Sequence, residues 1–152
     1  MKFKPMIRAT SIAHIDSDPA DTVTLCYDDR HRRRVVMVGD EGIEFLLDLP
    51  EVAELRDRDD LLLDDGRHIR VVAAAESLMV VTCQDQKHLV RTAWHVGNRH
   101  LPCEIHGEYL VLRFDHVIAD MLEILGCSVK EVLAPFNPEG GAYGQGRTHS
   151  HD

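Results

Sequence analysis

"LMVVTCQDQKHLVRTAWHVGN", residues Leu78–Asn98, is the stretch from which the fold class of the second half of the chain follows. Its first six residues are nearly all apolar and include two adjacent valines, which predicts a β-strand over Leu78–Cys83. From Asp85 onward the apolar residues recur at helical spacing, which predicts an amphipathic helix ending near Asn98. The apolar face of that helix consists of Leu89, Val90, Ala93, Trp94 and Val96.

The residues after this unit predict two more strands, a second helix and a last strand. "CEIHGEYLVLRF", Cys103–Phe114, predicts two strands around a turn at Gly107. Asp115 is a good N-cap for the next helix, and Gly126 is a good residue just past its end. The apolar stripe of that helix consists of Val117, Ile118, Met121, Leu122 and Leu125. With a final strand over Ser128–Ala134, the order is β-α-β-β-α-β, which is that of a ferredoxin-like domain.

The first half of the chain predicts short strands separated by turns. Turn-forming residues lie at Gly39–Gly42 and Asp64–Gly66, and Pro50 is expected to end a strand. The strands are predicted over Val23–Tyr27, Arg33–Val38, Ile43–Leu49 and His68–Ala75. This pattern favours a small β-barrel or sandwich. We therefore expect an α+β protein with domains over residues 1–75 and 76–137, followed by a flexible tail containing glycine and histidine over residues 138–152.

The composition restricts the partners and the compartment. Seventeen Lys and Arg against 26 Asp and Glu give a net charge of −9, which argues against binding to nucleic acid or to an anionic membrane surface. No apolar run approaches a membrane span, and no secretory leader opens the chain. The four cysteines form no C-x-x-C pair. Free buried thiols are then expected, and with them a cytoplasmic, reducing compartment.

Signatures of common enzymes are missing from the sequence. It contains no H-E-x-x-H, G-x-S-x-G or P-loop motif. Cys103 lies near His100, but a Cys–His nucleophile also needs an oxyanion hole, to which nothing in the sequence points. A non-catalytic protein is therefore favoured. The basic run Asp28–Arg34 is interpreted as a charged edge strand that resists aggregation, with docking of a negatively charged partner as the alternative.

The histidine spacing in "AWHVGNRHLPCE", Ala93–Glu104, predicts one outward candidate ligand. Five residues of α-helix turn about 500°, so His95 and His100 point about 140° apart and are not expected to share an ion. His95 belongs to the helix, whereas His100 lies at or past its end, before Pro102. One exposed histidine makes a poor metal site. A residue near the two-fold axis of a dimer, however, meets its own copy, which would supply two imidazoles.

Three other histidines are further candidates for metal binding. His149 and His151 stand at i and i+2, so an extended chain directs both rings to one side, from which they would complete the site. His116 follows the N-cap Asp115, where the helix N-terminus favours a neutral ring, and it is a secondary candidate with His95. Imidazole suits Ni, Cu, Zn and Fe(II). Surface histidines and a disordered terminus are the alternative, and surface or core roles are assigned to His14, His31, His68, His88 and His106.

Three ordered motifs closely resemble the UreE family of urease accessory proteins. They are "HVGNRHLPCEI" (His95–Ile105), "LRFDHVIADMLEILG" (Leu112–Gly126) and "PFNPEGGAYGQGRTHSH" (Pro135–His151). A looser match over Leu61–Glu76 extends the resemblance to nearly the whole chain. The resemblance implies an N-terminal β domain that binds peptides or partners and a C-terminal ferredoxin-like domain that binds metal and dimerises.

The function implied by the resemblance is that of a nickel metallochaperone. Such a protein forms a homodimer, or a dimer of dimers, and delivers Ni(II) to the urease apoprotein together with other accessory proteins, including a GTPase. By this resemblance His100 is the ligand at the dimer interface, and His149 and His151 add ligands. His95 and His116 have lesser or peripheral roles. Zn(II) or Cu(II) would also bind in vitro. The alternative is a non-catalytic module that stabilises the urease accessory complex, with metal binding incidental.

Two features depart from the family pattern. Some members end in long histidine runs, whereas this tail has only His149 and His151, which argues against bulk nickel storage. Cys103 stands where an aliphatic residue is expected, and a thiol there would alter metal preference near His100. A strand residue without a metal role is the favoured interpretation of Cys103.

Overall fold

The computed structural model describes residues 5–140, which form two compact units that divide between Ala74 and Ala75. The units are described one at a time. Within residues 5–140, no helix combines the length and the hydropathy needed to cross a bilayer.

The N-terminal unit is a single curled sheet. Its strands are β1 (Arg8–Ala13), β2 (Asp21–Leu25), β3 (His31–Val38), β4 (Glu44–Glu54), β5 (Asp60–Leu63) and β6 (His68–Ala73). They lie in the order β2-β6-β5-β1-β4-β3. The β1–β4 and β2–β6 pairs are parallel, and the other neighbours are antiparallel. The sheet curls into a half-barrel, which confirms the predicted small β domain.

The core of this unit is mostly aliphatic. Along β4 the buried positions alternate as the pleat requires, with Phe45, Leu47 and Leu49 facing inward. The other fully buried members are Ala9, Leu55, Leu61, Ile69 and Val71. Burial of each large side chain contributes roughly 1.5–3 kcal/mol, so the unit is held together by its inner face.

Three predicted strand ends in this unit are wrong, and one of them is that of β6, which ends at Ala73 rather than Ala75. β4 continues through Pro50 to Glu54, because the β3–β4 register shifts between Arg32 and Arg34 and the ladder there does not need the missing proline N–H. β2 ends at Leu25, and a short 3-10 turn begins at Tyr27. The strands β1 and β5 were not indicated by the sequence, since neither shows a clear alternation of apolar and polar residues.

The basic run Asp28–Arg34 enters β3, which is an edge strand of the sheet. Arg32 Nη2 lies 2.9 Å from Asp29 Oδ1, and Arg34 Nε lies 3.9 Å from Asp48 Oδ1. Arg32 and Arg34 are therefore balanced by nearby carboxylates along an exposed edge, whereas Arg30 of the same run is buried. This arrangement favours the interpretation of the run as a charged edge strand.

A buried carboxylate holds the turn between β3 and β4. Asp21 is 4% exposed and accepts hydrogen bonds from the backbone N–H groups of Thr22, Glu41 and Ile43, at 2.7, 2.9 and 3.2 Å. Burial raises the pKa of this carboxyl, but the three backbone hydrogen bonds lower it by more, so its pKa lies below the ordinary value. Asp21 is therefore ionised at neutral pH and ties the turn to β2.

The C-terminal unit has the predicted ferredoxin-like order. Its elements are β7 (Ala75–Thr82), α1 (Gln86–Asn98), β8 (Glu104–Ile105), β9 (Tyr109–Arg113), α2 (His116–Ile124) and β10 (Ser128–Pro135). The sheet order is β10-β7-β9-β8, and all its pairs are antiparallel. The first strand of the unit thus pairs with the last, and the α+β prediction is confirmed.

The predicted apolar faces of both helices are too wide. Val90, Trp94 and Val117 are 67%, 63% and 62% exposed, although each was assigned to a core stripe. Leu89 and Val96 in α1 and Leu122 in α2 are buried as predicted, and the other buried positions are Thr92 and Ala119, which the stripes did not include. A helix lying on one face of a sheet buries only a narrow stripe, so helical spacing alone overestimates the buried set.

Asp115 caps α2 as predicted. Its Oδ1 accepts from the N–H groups of Val117 and Ile118, at 2.9 and 3.2 Å. We expect Asp115→Ala to lower the free energy of unfolding by about 1 kcal/mol, because two N–H groups of the first turn lose their acceptor. Urea denaturation followed by circular dichroism measures the change. The control is Asp120→Ala, an exposed acid in the same helix; equal losses for both variants would contradict a capping role.

Candidate metal centre

The end of α1 is a Schellman motif centred on His100. The Leu101 N–H donates to the Val96 carbonyl at 3.3 Å, and the His100 N–H donates to the Gly97 carbonyl at 3.0 Å. This pair of bonds requires a left-handed residue just past the helix, and His100 supplies it with φ = +58°. Leu101 and Val96 belong to the same apolar cluster, which completes the motif.

The same motif ends α2, but with the expected residue. There the Cys127 N–H donates to the Leu122 carbonyl, the Gly126 N–H donates to the Glu123 carbonyl, and Gly126 has φ = +92°. Glycine adopts this conformation without steric cost, whereas an L-residue such as His100 is strained by about 1–2 kcal/mol. Backbone strain of this kind tends to persist at functional sites. The strained backbone of His100 is therefore a second reason, besides its exposed imidazole, to regard this residue as a candidate metal ligand.

The three described candidate histidines occupy different positions. His100 is exposed on the corner after α1, and His116 is exposed as the first residue of α2. Leu101 and Asp115, the chain neighbours of these two residues, line one groove of about 350 Å³, but the two histidines are not among its lining residues. His95 is half-buried within α1, and its ring packs edge-on against Trp94 with the centroids 5.2 Å apart.

These histidines do not assemble a site with other residues of the described part of the chain. Among residues 5–140, one group of three or more potential ligands has its donor atoms within 4.8 Å of one another, and it contains none of His95, His100 and His116. An ion at His100 therefore needs ligands from the tail or from a second molecule. His149 and His151 lie outside the described residues.

The chain leading to the tail is anchored near the His100 corner. Phe136 is fully buried, and the Asn137 N–H donates to Glu104 Oε2 at 2.8 Å. The Glu139 N–H then donates to the Cys103 carbonyl at 2.8 Å. Position 139 is thus held beside a residue only three positions beyond His100.

Cys103 is poorly suited to ligation or to catalysis at neutral pH. Burial, followed by the charges of Glu104 and Glu139, raises the pKa of its thiol to about 12. Its Sγ lies 3.2 Å from the Glu104 carbonyl, to which the thiol donates. Because the thiolate is the form that attacks carbonyls and binds metals, Cys103 fits a structural role.

The group that sequence reasoning missed consists of Cys83, His88 and Cys127, named here the thiol cluster. The sequence assigned Cys83 and Cys127 to buried free thiols and His88 to a surface or core role. The signal that points to the cluster is topological. Thr82 of β7 pairs with Ser128 of β10, so Cys83 and Cys127 come next to each other just past the end of the ladder.

Other histidines make contacts that fit the roles assigned to them. His106 Nε2 lies 2.9 Å from Glu104 Oε1, and its ring stacks on Tyr109 with the centroids 4.4 Å apart. His68 Nε2 lies 3.3 Å from the Ser17 carbonyl, and His14 Nε2 lies 2.8 Å from Asp59 Oδ1. These contacts tie loops to strands within each unit.

Comparisons with known proteins cover both units of the chain. Residues 3–74 match the family described as UreE urease accessory protein, N-terminal domain, and residues 76–152 match the C-terminal domain of the same family. A urease accessory protein UreE of Rhodopseudomonas palustris (strain BisB18) is 54% identical over 150 residues, which cover 97% of this chain and 71% of that protein. A UreE of Chelativorans sp. (strain BNC1) is 54% identical over 147 residues, which cover 97% and 91%. A UreE of Ruegeria pomeroyi is 49% identical over 135 residues, which cover 89% of each.

Proposed function

Because this chain belongs to the UreE family of urease accessory proteins, we propose that it binds Ni(II) and delivers it to the urease apoprotein during assembly of the active site. The family consists of accessory proteins rather than enzymes, so the role in urease maturation is non-catalytic. In the proposal, nickel is cargo that must be bound and then released.

The observation that carries the proposal is the exposed, strained His100 at the end of α1. A left-handed histidine costs stability where glycine would not, so we attribute the histidine at this position to its imidazole rather than to folding. An exposed corner also suits cargo, because a site with few ligands from one chain releases its ion more readily than a closed tetrahedral cage.

We propose that the remaining ligands come from a second copy of the chain and from the tail. In a homodimer with His100 near the two-fold axis, two imidazoles meet. The nine residues from 141 to 149 span at most about 30 Å when extended. Since Glu139 is bonded beside Cys103, this length allows His149 and His151 to reach the His100 corner. His116 and His95 are kept as secondary ligands.

The partners and the compartment belong to the same proposal. Delivery to the urease apoprotein involves the other accessory proteins, including the GTPase, in the cytoplasm. Free thiols at Cys26, Cys83, Cys103 and Cys127 are typical of a reducing compartment. Imidazole also accepts Zn(II) and Cu(II), so preference for nickel would depend on metal supply and on partners.

Equilibrium Ni(II) binding to the full chain tests this function. We expect His100→Ala to weaken binding by at least about 100-fold, because loss of a ligand should exceed the 10–100-fold cost of losing a supporting residue. Truncation after Gly146, which removes His149 and His151, should weaken binding less. Calorimetry gives affinity and stoichiometry, and sedimentation shows whether two chains share one ion.

The matched control is His31→Ala, an exposed histidine on β3 of the other unit, which should bind nickel as the wild type does. Unchanged nickel affinity in His100→Ala would refute the interfacial site. Full support of urease activation by a nickel-deficient His100→Ala protein would favour the alternative, in which the chain is a module that stabilises the accessory complex.

A further inference from the structure

The thiol cluster lies at the end of the C-terminal sheet, where β7 leaves the sheet and β10 begins. Cys83 follows β7 by one residue, Cys127 precedes β10 by one, and His88 is in the first turns of α1. The two Sγ atoms are 4.0 Å apart, and Cys127 Sγ lies 3.9 Å from His88 Nε2. Three elements of one unit thus bring two sulfur atoms and one imidazole nitrogen within 4.8 Å of one another.

The two separations that involve Cys127, 4.0 Å to Cys83 Sγ and 3.9 Å to His88 Nε2, match the ligand spacing of a small metal ion. Metal–sulfur bonds of about 2.3 Å and metal–nitrogen bonds of about 2.0 Å hold ligand atoms roughly 3.3–4.0 Å apart in trigonal or tetrahedral geometry. For the two sulfur atoms, a separation of 4.0 Å corresponds to a sulfur–metal–sulfur angle of about 120°. The cluster therefore needs little rearrangement of its cysteines to hold an ion.

His88 can act as a ligand in the cluster only if it gives up a hydrogen bond that it already makes. Its Nδ1 accepts from the Gln84 N–H at 2.9 Å, and its Nε2 lies 2.7 Å from the Leu125 carbonyl oxygen. Because a carbonyl only accepts, Nε2 carries the proton, and ligation through Nε2 requires that this proton and the bond to Leu125 be given up. The two cysteines are the primary ligands. His88 is a third ligand, which binds the ion only when its Nε2 gives up the hydrogen bond to the Leu125 carbonyl.

The access route to the cluster also fits a cation, whereas the burial of Cys127 works against ligation. Cys83 lines an open cavity of about 360 Å³ together with Asp85 and Glu108, which gives an entry path from solvent past two acidic residues. Burial raises the pKa of the Cys127 thiol, the Thr92 hydroxyl 3.6 Å away opposes the rise, and Cys83 adds to it. Because metals bind the thiolate, a cation must displace the proton of the Cys127 thiol.

We propose that Cys83, Cys127 and His88 form a second metal site, distinct from the nickel site at His100, that takes a thiophilic closed-shell cation such as Zn(II) or Cu(I). Thiolate ligands favour Zn(II) and Cu(I), whereas the imidazole of His100 suits Ni(II). Such a site sorts metals within one chain: soft ions are bound at the sheet end, and the histidine corner stays available for nickel. This proposal can be tested independently of nickel delivery, because the site contains none of the proposed nickel ligands.

Titration with Cd(II), a closed-shell thiophilic probe, tests the site in the full chain. The protein is kept reduced with a phosphine under anaerobic conditions, and thiolate-to-cadmium charge-transfer absorption is followed in the ultraviolet. We expect one equivalent per chain to give this absorption and to protect two thiols from alkylation, as counted by mass spectrometry. Cys83→Ser and Cys127→Ser should each weaken binding by on the order of 100-fold.

The controls separate this site from other thiols and from the nickel proposal. Cys26→Ser and Cys103→Ser should titrate as the wild type does, and so should His100→Ala. His88→Asn should keep the charge-transfer absorption with lower affinity. Thermal unfolding of every variant shows whether a loss of binding reflects a loss of fold. The proposal is overturned if Cd(II) protects no thiols in the wild type, or if the folded Cys83→Ser and Cys127→Ser variants bind as tightly as it does.

Discussion

Alanine at position 39 should destabilise the N-terminal unit by about 3 kcal/mol or more. A Cβ on Gly39 would lie 2.1 Å from Asp21 Oδ2 and 2.6 Å from Asp21 Cγ, and both distances are far inside van der Waals contact. The carboxylate has no room to yield, because Thr22, Glu41 and Ile43 hold it with their N–H groups. The Gly39→Ala variant must therefore either move the buried Asp21 carboxylate away from these N–H donors or open the turn between β3 and β4.

Urea denaturation of Gly39→Ala measures this loss. The control is Gly107→Ala, because a Cβ at Gly107 would meet nothing within 4 Å and its φ lies outside the left-handed region. That variant should change the free energy of unfolding by less than about 0.5 kcal/mol. A Gly39→Ala protein as stable as wild type would show that Asp21 does not hold the turn in solution.

The same carboxylate has a defined pH dependence. Its pKa is below the ordinary value of 3.8, so its contribution to stability is present above pH 3.8 and is lost as the pH falls through the lower folded-state pKa. Asp21→Asn should therefore lose stability at neutral pH and lose less at acid pH. If both proteins lost equal stability on acidification, the assignment to Asp21 would be wrong.

Glycine at position 100 should make the protein more stable and remove its nickel site. His100 holds φ = +58°, a conformation that costs an L-residue about 1–2 kcal/mol. Glycine removes that cost but loses more backbone entropy on folding, so we expect a net gain of roughly 0.5–1 kcal/mol in the free energy of unfolding. Nickel affinity should fall by at least about 100-fold, as in His100→Ala.

Two companion variants make this result specific. His100→Ala keeps the left-handed strain while it removes the imidazole, so it should lose nickel without gaining stability. Gly126→Ala places a side chain at the equivalent position of α2 and should lose about 1 kcal/mol, because Gly126 has φ = +92° and an added Cβ would lie 3.1 Å from Gln84 Nε2. Retained nickel affinity, or a loss of stability, in His100→Gly would contradict the view that the strain serves the metal.

The sequence by itself determined the fold class and the order of elements in the C-terminal unit. Strand and helix there have clear periodicities, and Asp115 and Gly126 bracket α2 as capping chemistry requires. It also placed His95 within the helix and His100 at or past its end, where the structure has them. The family followed from three ordered motifs, which the comparisons bear out.

Tertiary structure decided what local patterns do not contain. Which helical apolar residues are buried depends on the width of the facing sheet, so Val90, Trp94 and Val117 were misassigned. The strand β4 passes Pro50 because its partner shifts register, a property of the pair rather than of β4. The thiol cluster joins residues 44 positions apart through the pairing of β7 with β10.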